Sequence, residues 1–228
     1  MKHAICVAVV VTAFCAPLSQ AAMILGDAVL LSELVDNNES IVVGDKEFND
    51  FSYASTNEMP EASGVNVIPI KDDAGNFGIR FQGAFIDTSS SQGGSDALIN
   101  YKVTVLDPAF LIVDAHIEGN TNILGDTGSI SVTETFLPLG ANGEFNLEIL
   151  DDANNGQTQL VDWVDFDQGY RSLSVQKDIL ALAQPNGLDV TLSFVDQTFS
   201  QTLIPEPAGI VLLGGMLSMM AVVRYRLG

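Results

Sequence analysis

Short stretches in which apolar and polar residues alternate recur through the middle of this 228-residue chain. A period of two is typical of β-strands, because successive side chains point to opposite faces of a sheet. The pattern therefore predicts a mainly β structure. The predicted strands are residues 40–43, 48–53, 65–70, 77–85, 99–107, 110–118, 128–136, 144–150, 172–182, 188–195 and 197–204.

Turn-forming residues separate these stretches, as in "KDDAGN" (71–76), "DDANNGQ" (151–157) and "QPNG" (184–187). Glycine and asparagine accept positive φ, and aspartate bonds to the turn backbone. Many short strands joined in this way predict one domain, an antiparallel β-sandwich. The one predicted helix covers residues 27–36, with Asp27 as its N-cap.

The N-terminal residues form a different pattern. A basic head at Lys2 precedes the apolar stretch 4–16, and Ser19 and Ala21 then place small residues at the −3 and −1 positions of a cleavage site. These features predict a signal peptide over residues 1–21. A membrane anchor at this position is the alternative, although the apolar stretch is short for a span.

Both cysteines, Cys6 and Cys15, lie within the predicted signal peptide. The exported chain would therefore have no disulfide, thiolate metal site or cysteine nucleophile. The formal net charge is −20, and all acidic residues except Glu206 lie between residues 22 and 204, with six basic ones. Such an acidic domain repels nucleic acid, so we expect no nucleic-acid partner.

The C-terminal residues combine three features. Pro205, Glu206 and Pro207 precede an uncharged apolar stretch over residues 208–223. As a helix, at about 1.5 Å per residue, this stretch covers roughly 24 Å, a little less than the hydrocarbon core of a bilayer. It predicts a transmembrane helix rather than a buried helix of the domain. Such a helix is either a permanent anchor or part of a removable signal. The basic tail, residues 224–228, contains Arg224 and Arg226, which favour a cytoplasmic end.

In this order, the triplet, the apolar helix and the basic end resemble the PEP-CTERM sorting signal, which exosortases recognise in Gram-negative bacteria that make extracellular polysaccharide. The resemblance implies that Pro205, Glu206 and Pro207 are the recognition element. It also implies that residues 208–223 hold the protein transiently in the inner membrane and that Arg224 and Arg226 are the retention signal. The predicted domains are then the signal peptide, an ectodomain over residues 22–203 and a sorting signal over residues 204–228.

The segments 40–53, 175–179 and 196–207 also resemble a recurrent ectodomain type of PEP-CTERM proteins that has no assigned activity. The two resemblances imply a protein of the cell surface or extracellular matrix, and the scarcity of catalytic residues described below favours a non-catalytic role. Its role would be in adhesion, biofilm or association with exopolysaccharide, and an acidic exopolysaccharide is a possible partner. A secreted glycan hydrolase and a carbohydrate-binding module are the alternatives.

Few residues offer catalytic or metal-binding chemistry. His116, the sole histidine beyond the predicted signal peptide, lies in the predicted strand 110–118, where alternation puts it on one face with Ile112, Asp114 and Glu118. A histidine beside carboxylates can act as a base or metal ligand. No further ligands follow at zinc spacing, so the sequence favours a surface imidazole among acids.

The segment "VDWVDFDQGY" (161–170) places Asp165 and Asp167 on one strand face, near Trp163 and Tyr170. Paired carboxylates beside aromatic rings can form a glycosidase cleft, and exposed rings can stack on sugars. The pattern favours a solvated edge for the acids and core positions for the rings.

The two aspartate-rich turns, 72–76 and 151–156, contain the oxygen ligands that calcium prefers. Neither has the spacing of a dedicated calcium loop, so we interpret both as turn formers. We therefore predict no cofactor, with a calcium ion as the alternative.

Overall fold

The computed structural model describes residues 22–91, 93–138, 145–185 and 187–204. These residues form two seven-stranded sheets, and every strand pair is antiparallel. The sheets stack as a sandwich, which confirms the predicted fold of the middle of the chain. The predicted signal peptide, with Ser19 and Ala21, and the predicted sorting signal from Pro205 onward lie outside the described residues.

The first sheet, sheet A, has the strand order β1-β5-β6-β14-β8-β12, with β2 also paired to β5. Its central strand β14 follows β13 of the other sheet and inserts between β6 and β8. Strand β12 forms one edge. The strands are β1 (Met23–Ile24), β2 (Val29–Leu30), β5 (Val65–Lys71), β6 (Phe77–Asp87), β8 (Phe110–Ile123), β12 (Val161–Tyr170) and β14 (Val190–Leu203).

The second sheet, sheet B, has the order β11-β10-β9-β13-β7-β4-β3. Its strands are β3 (Ile41–Val43), β4 (Lys46–Ser55), β7 (Ser95–Val105), β9 (Ser129–Pro138), β10 (Phe145–Asp152), β11 (Gln157–Gln159) and β13 (Ser172–Leu182). A helix, α1 (Leu31–Asp36), and a 3₁₀ turn (Ala62–Gly64) lie between strands.

Phenylalanine rings from both sheets meet at the centre of the sandwich. Phe199 of β14 lies 6.2 Å from Phe48 and 6.1 Å from Phe136, measured between ring centroids. All three are fully buried. Burial of one such side chain contributes roughly 1.5–3 kcal/mol, so the alternating apolar residues supply most of the stabilisation.

Two element predictions are corrected by the structure. The helix begins at Leu31 rather than Asp27, and its N-cap residue Leu30 makes no side-chain cap, because residues 29–30 pair with β5 as a strand. The predicted strands 188–195 and 197–204 are one strand, β14, with a register shift between Leu192 and Val195. That irregularity interrupts the alternation and makes one strand read as two.

The predicted face of strand β8 is also wrong in its first part. Its register with β14 shifts at Ser200/Gln201, opposite Asp114 and Ile112. This bulge sends Ile112 into the core, where it is fully buried, while Asp114 stays on the outer face of sheet A. An extra residue in one strand inverts the alternation on one side of it.

Candidate functional site

The outer face of sheet A carries most of the polar residues identified in the sequence. Strand register places Trp163 of β12 opposite His116 of β8, which is opposite Thr198 of β14. The next row contains Asp165 and Asp114. Directly opposed residues share a face and lie close enough to interact. The sheet therefore brings the histidine, two acids and the tryptophan together.

His116 and Asp114 form a partly exposed ion pair. His116 Nε2 lies 3.0 Å from Asp114 Oδ1, and the histidine side chain is 40% exposed. The hydrogen bond to Asp114 raises the pKa of His116, against the effect of burial. Burial opposes a low pKa for Asp114, but hydrogen bonds from His116 and Ser200 lower it. The predicted surface imidazole among acids is thus what the structure places here, with Asp114 as its partner.

A shallow pocket of about 260 Å³ opens on this face, beneath the 71–76 turn. Asp72 anchors the turn over the sheet, because its Oδ2 accepts a hydrogen bond from Thr198 Oγ1 at 3.0 Å and its Oδ1 accepts one from Asn76 N at 2.8 Å. Charged lining residues make the pocket acidic, so it favours cations and hydroxyl donors over anions. The polar lining residues are Asp72, Asp73, Asn76, His116, Glu118, Asp196 and Thr198.

Arg80 and Asp196 form a bidentate ion pair on this face. Arg80 Nε and Nη2 donate to the two carboxylate oxygens of Asp196 at 2.6 and 2.7 Å. The guanidinium carbon also lies 3.8 Å from the centroid of the Phe194 ring. Both charged side chains are at most 10% exposed. This bidentate pair neutralises one of the acids that line the pocket.

The prediction that the Trp163 ring belongs to the core is wrong, because this side chain is 63% exposed. It occupies the outer face of the edge strand β12, which no further layer of the described residues covers. Tyr170 does lie in the core, at 5% exposure, with its ring centroid 5.8 Å from that of Phe166. The two rings therefore do not form one sugar-binding platform.

Asp165 and Asp167 are both exposed on the edge strand, as predicted for a solvated edge. Their register with β8 is interrupted between Asp165 and Tyr170. Asp167 Oδ1 accepts a hydrogen bond from the Tyr170 hydroxyl at 2.5 Å. Neither carboxylate lines the pocket, and they do not face each other across a cleft.

The second aspartate-rich turn is held by its own carboxylate. Asp152 accepts hydrogen bonds from Asn154 N at 2.9 Å and from Asn155 Nδ2 at 2.6 Å. Such bonds are typical of turns that an aspartate closes. Over the part of the chain that the structure describes, no cluster of three or more His, Cys, Asp or Glu side chains is arranged to hold a metal ion.

A second polar group, which lies in the core, was not predicted from the sequence. Glu134 and Lys177 of sheet B and Gln197 of sheet A are all fully buried between the sheets. The signal was present in the alternation, since Glu134 and Lys177 occupy apolar positions of their strands. Acids and lysines are almost never fully buried unless paired, so this cluster is distinctive.

Strand β14 ends beside the predicted sorting signal. Its last residue is Leu203, and the Ile204 amide donates to the carbonyl oxygen of Ala109 at 2.7 Å. The next residue is Pro205. None of the helices in the described ranges has the length and apolar character needed to cross a bilayer.

Comparisons with known proteins give weak similarities only. No family model and no curated protein matches the chain. Among solved structures, the carbohydrate-binding module TmCBM61, in complex with β-1,4-galactotriose, has a TM-score of 0.29 and 9% identity over 66% of this chain and 89% of that one.

A second structure, of carbohydrate-binding modules from the β-sandwich superfamily, has a TM-score of 0.27 and 8% identity over 67% of this chain and 56% of that one. The cumin domain of Drosophila melanogaster CENP-C has a TM-score of 0.22 and 10% identity over 66% and 73% of the two chains. TM-scores of this size do not establish a shared function.

Proposed function

We propose that this chain is an exported β-sandwich protein that an exosortase processes at Pro205-Glu206-Pro207, and that its ectodomain acts without catalysis at the cell surface or in the polysaccharide matrix. The observation that carries the proposal is the tripartite segment from Pro205 to Arg226, placed directly after the last strand of the domain.

The connection between domain and triplet supports this proposal. The last core residue is Phe199, so removal of the residues beyond Ile204 takes nothing from the described core. A single residue separates β14 from Pro205. Proline fixes φ and disfavours helix in the residue before it, so we expect from the sequence an extended triplet. An enzyme at the membrane face could then grip the extended triplet.

Substitution of the central acid tests the proposal. In a host that has the exosortase, Glu206→Ala is expected to stay in the membrane fraction with its C-terminal residues attached. The matched control is Glu39→Ala, which removes an exposed acid of the ectodomain and should leave delivery unchanged. Delivery and molecular mass of Glu206→Ala equal to those of the wild type would contradict the proposal.

A second candidate function is glycan binding, and it rests on Trp163. An exposed indole on a rigid strand, beside hydrogen-bonding acids and an imidazole, is the kind of surface on which sugar rings stack. The acidic pocket next to it would accept hydrogen bonds from hydroxyl groups. This function is compatible with export, because a glycan-binding domain could retain the protein in a polysaccharide matrix.

A glycan array followed by calorimetry tests this second candidate. Trp163→Ala should abolish binding to any glycan that the wild-type protein retains. Leu180→Ala removes another exposed apolar side chain, on sheet B, and should leave binding intact. The candidate is excluded if the array shows no binding or if Trp163→Ala binds as well as the wild type.

A further inference from the structure

The buried polar group connects the two sheets through three side chains. Lys177 Nζ lies 3.0 Å from Glu134 Oε2 and donates a hydrogen bond to Gln197 Oε1 at 3.2 Å. The Tyr101 hydroxyl lies 3.4 Å from the other oxygen of Glu134. Lys177 and Glu134 belong to sheet B, and Gln197 belongs to sheet A. The lysine amine therefore contacts a carboxamide of the opposite sheet.

The hydrogen bonding of this group is incomplete. Gln197 Nε2 donates no hydrogen bond to any described residue. Glu134 Oε2 forms an ion pair with the lysine but accepts no hydrogen bond of standard geometry. Leaving buried polar atoms unsatisfied is costly, and a buried ion pair is rarely a good source of stability. The arrangement therefore calls for an explanation other than ordinary core packing.

Burial also changes the protonation of the pair. It lowers the pKa of Lys177 and raises the pKa of Glu134, and the attraction between the two side chains only partly opposes both shifts. Both effects favour a neutral amine beside a neutral carboxylic acid. A neutral amine has the lone pair that a nucleophile needs, and a protonated carboxylic acid can donate a proton.

We propose that Lys177 and Gln197 become joined by an isopeptide bond, with Glu134 as the catalytic acid and base. Lys177 Nζ attacks Cδ of Gln197, so that the Nζ–Cδ bond forms and the Cδ–Nε2 bond breaks. Glu134 gives its proton to Nε2 and takes one from Nζ. Nε2 leaves as ammonia with the electron pair of the broken bond. An amine and a primary amide thus become a secondary amide and ammonia, with no oxidant or cofactor.

The surroundings of the group suit this reaction. The strands hold the amine and the carboxamide in contact, which replaces a bimolecular encounter by a positioned one. Phe136 lies two residues after Glu134, and Phe199 lies two residues after Gln197. The two rings pack edge to face, with their centroids 6.1 Å apart. Such a water-excluded site strengthens the proton transfers and protects the product from hydrolysis.

A second lysine–glutamine contact lacks these features and provides an internal comparison. Lys46 Nζ lies 3.4 Å from Gln201 Oε1, but its acid partner is Asp45, whose side chain is 23% exposed. This pair is therefore not enclosed in a water-excluded site. We therefore expect Lys46 and Gln201 to remain unlinked.

Mass spectrometry of the purified full chain tests the proposal. The wild-type protein should be lighter than its sequence by the mass of one ammonia molecule. Trypsin should fail to cleave after Lys177, and further digestion with chymotrypsin, which can cut at Phe194, should leave a branched peptide containing both Lys177 and Gln197. A succinimide at Asn155-Gly156 loses the same mass, but it leaves Lys177 cleavable and is thereby distinguished.

Variants identify the participating groups. Lys177→Met and Glu134→Gln should both restore the full mass, whereas Lys46→Met should retain the loss of ammonia. Circular dichroism establishes which variants fold, and the wild-type digest decides the question even if the core variants do not. Full mass and normal cleavage at Lys177 in the wild-type protein would overturn the proposal. Retention of the cross-link in folded Glu134→Gln would overturn the role of Glu134.

Discussion

At the residue scale, Arg80 and Asp196 form a bidentate, mostly buried ion pair on the outer face of sheet A. Arg80→Met would leave Asp196 buried without its partner, and we expect a loss of about 3 kcal/mol or more in the free energy of unfolding, because an unpaired buried charge is costly. Urea unfolding measures the change. A loss below about 0.5 kcal/mol, the scale of an ordinary surface substitution, would contradict the expectation.

The double variant Arg80→Met/Asp196→Leu separates the pair from its surroundings. Removal of both charges avoids the orphaned carboxylate, so the double variant should be more stable than Arg80→Met alone. Equal stability of the two variants would show that the loss comes from packing of the arginine, for example on Phe194, rather than from the unpaired acid.

The pair of His116 and Asp114 makes stability depend on pH. The folded-state pKa of His116 is raised, so its contribution is fully present below the unfolded pKa of about 6.5 and is lost as the pH rises through the folded pKa. Asp114, with a lowered pKa, contributes above about pH 3.9 and loses its contribution as the pH falls through its folded pKa.

Comparison with His116→Gln measures this dependence. The stability difference between wild type and variant should be largest near about pH 5 and should shrink toward about pH 9, since the neutral imidazole no longer attracts Asp114, Asp72 and Asp165. Chemical unfolding at a series of pH values gives the difference. A difference that is constant or grows with pH would contradict the assignment.

At this scale the sequence predicted the chemistry of His116 but not that of Trp163 or Lys177. Histidine beside acids is a local pattern, and the strand register preserves it. Exposure of Trp163 depends on which face of β12 is covered and on its place at the sheet edge, which alternation does not reveal. Lys177 fits the alternation only if a lysine is accepted at a core position, and no local feature indicates its partner Gln197, 20 residues away in the other sheet.

At the element scale, the two-residue turn between β3 and β4 depends on Gly44. Its φ is +60°, and an added Cβ would lie 2.5 Å from the Phe77 ring. Gly156 has φ of +63° with open space around it. Gly156→Ala should therefore cost only the backbone term, roughly 1–2 kcal/mol, whereas Gly44→Ala should cost more because the ring must move as well.

Thermal or urea unfolding of the two alanine variants, side by side, tests this explanation. The shared backbone conformation makes Gly156→Ala a matched control for strain alone. Equal losses in the two variants would show that Phe77 does not restrict the turn.

Element prediction succeeded where alternation was uninterrupted and failed where a bulge broke it. Strand β13 has the predicted bounds, residues 172–182, because every second residue from Leu173 to Ala181 faces the core. Strand β14 and the first part of β8 were misread at their register shifts. The helix was predicted too long because Val29 and Leu30 fit a helical repeat as well as a strand. Partners in the sheet, rather than local sequence, decide such cases.

At the scale of the whole molecule, the formal charge of −20 should make stability depend on salt. Self-repulsion destabilises a compact acidic domain, and salt screens it. The melting temperature should therefore rise between about 0.01 M and about 0.5 M NaCl. Calcium and magnesium at equal ionic strength should raise it equally, because screening depends on ionic strength. A rise specific to calcium would contradict this expectation.

The proposed cross-link would stabilise a domain that has no disulfide. The residues from 22 to 204 include no cysteine, so no disulfide can form there. An isopeptide bond between β13 and β14 would close a loop similar in length to many disulfide loops. Closing such a loop lowers the entropy of the unfolded chain and stabilises the fold by about 3 kcal/mol. The two proposals are independent, because loss of ammonia from Gln197 and processing at the triplet change the mass of different segments of the chain.

The central claim is that the C-terminal segment is a sorting signal removed on export, and the mass of the exported protein tests it most directly. Protein released to the cell exterior should lack residues from the apolar stretch 208–223 onward. In the same host without its exosortase, the protein should remain in the membrane fraction with Gly228 in place. An exported wild-type protein that still ends at Gly228 would contradict the account.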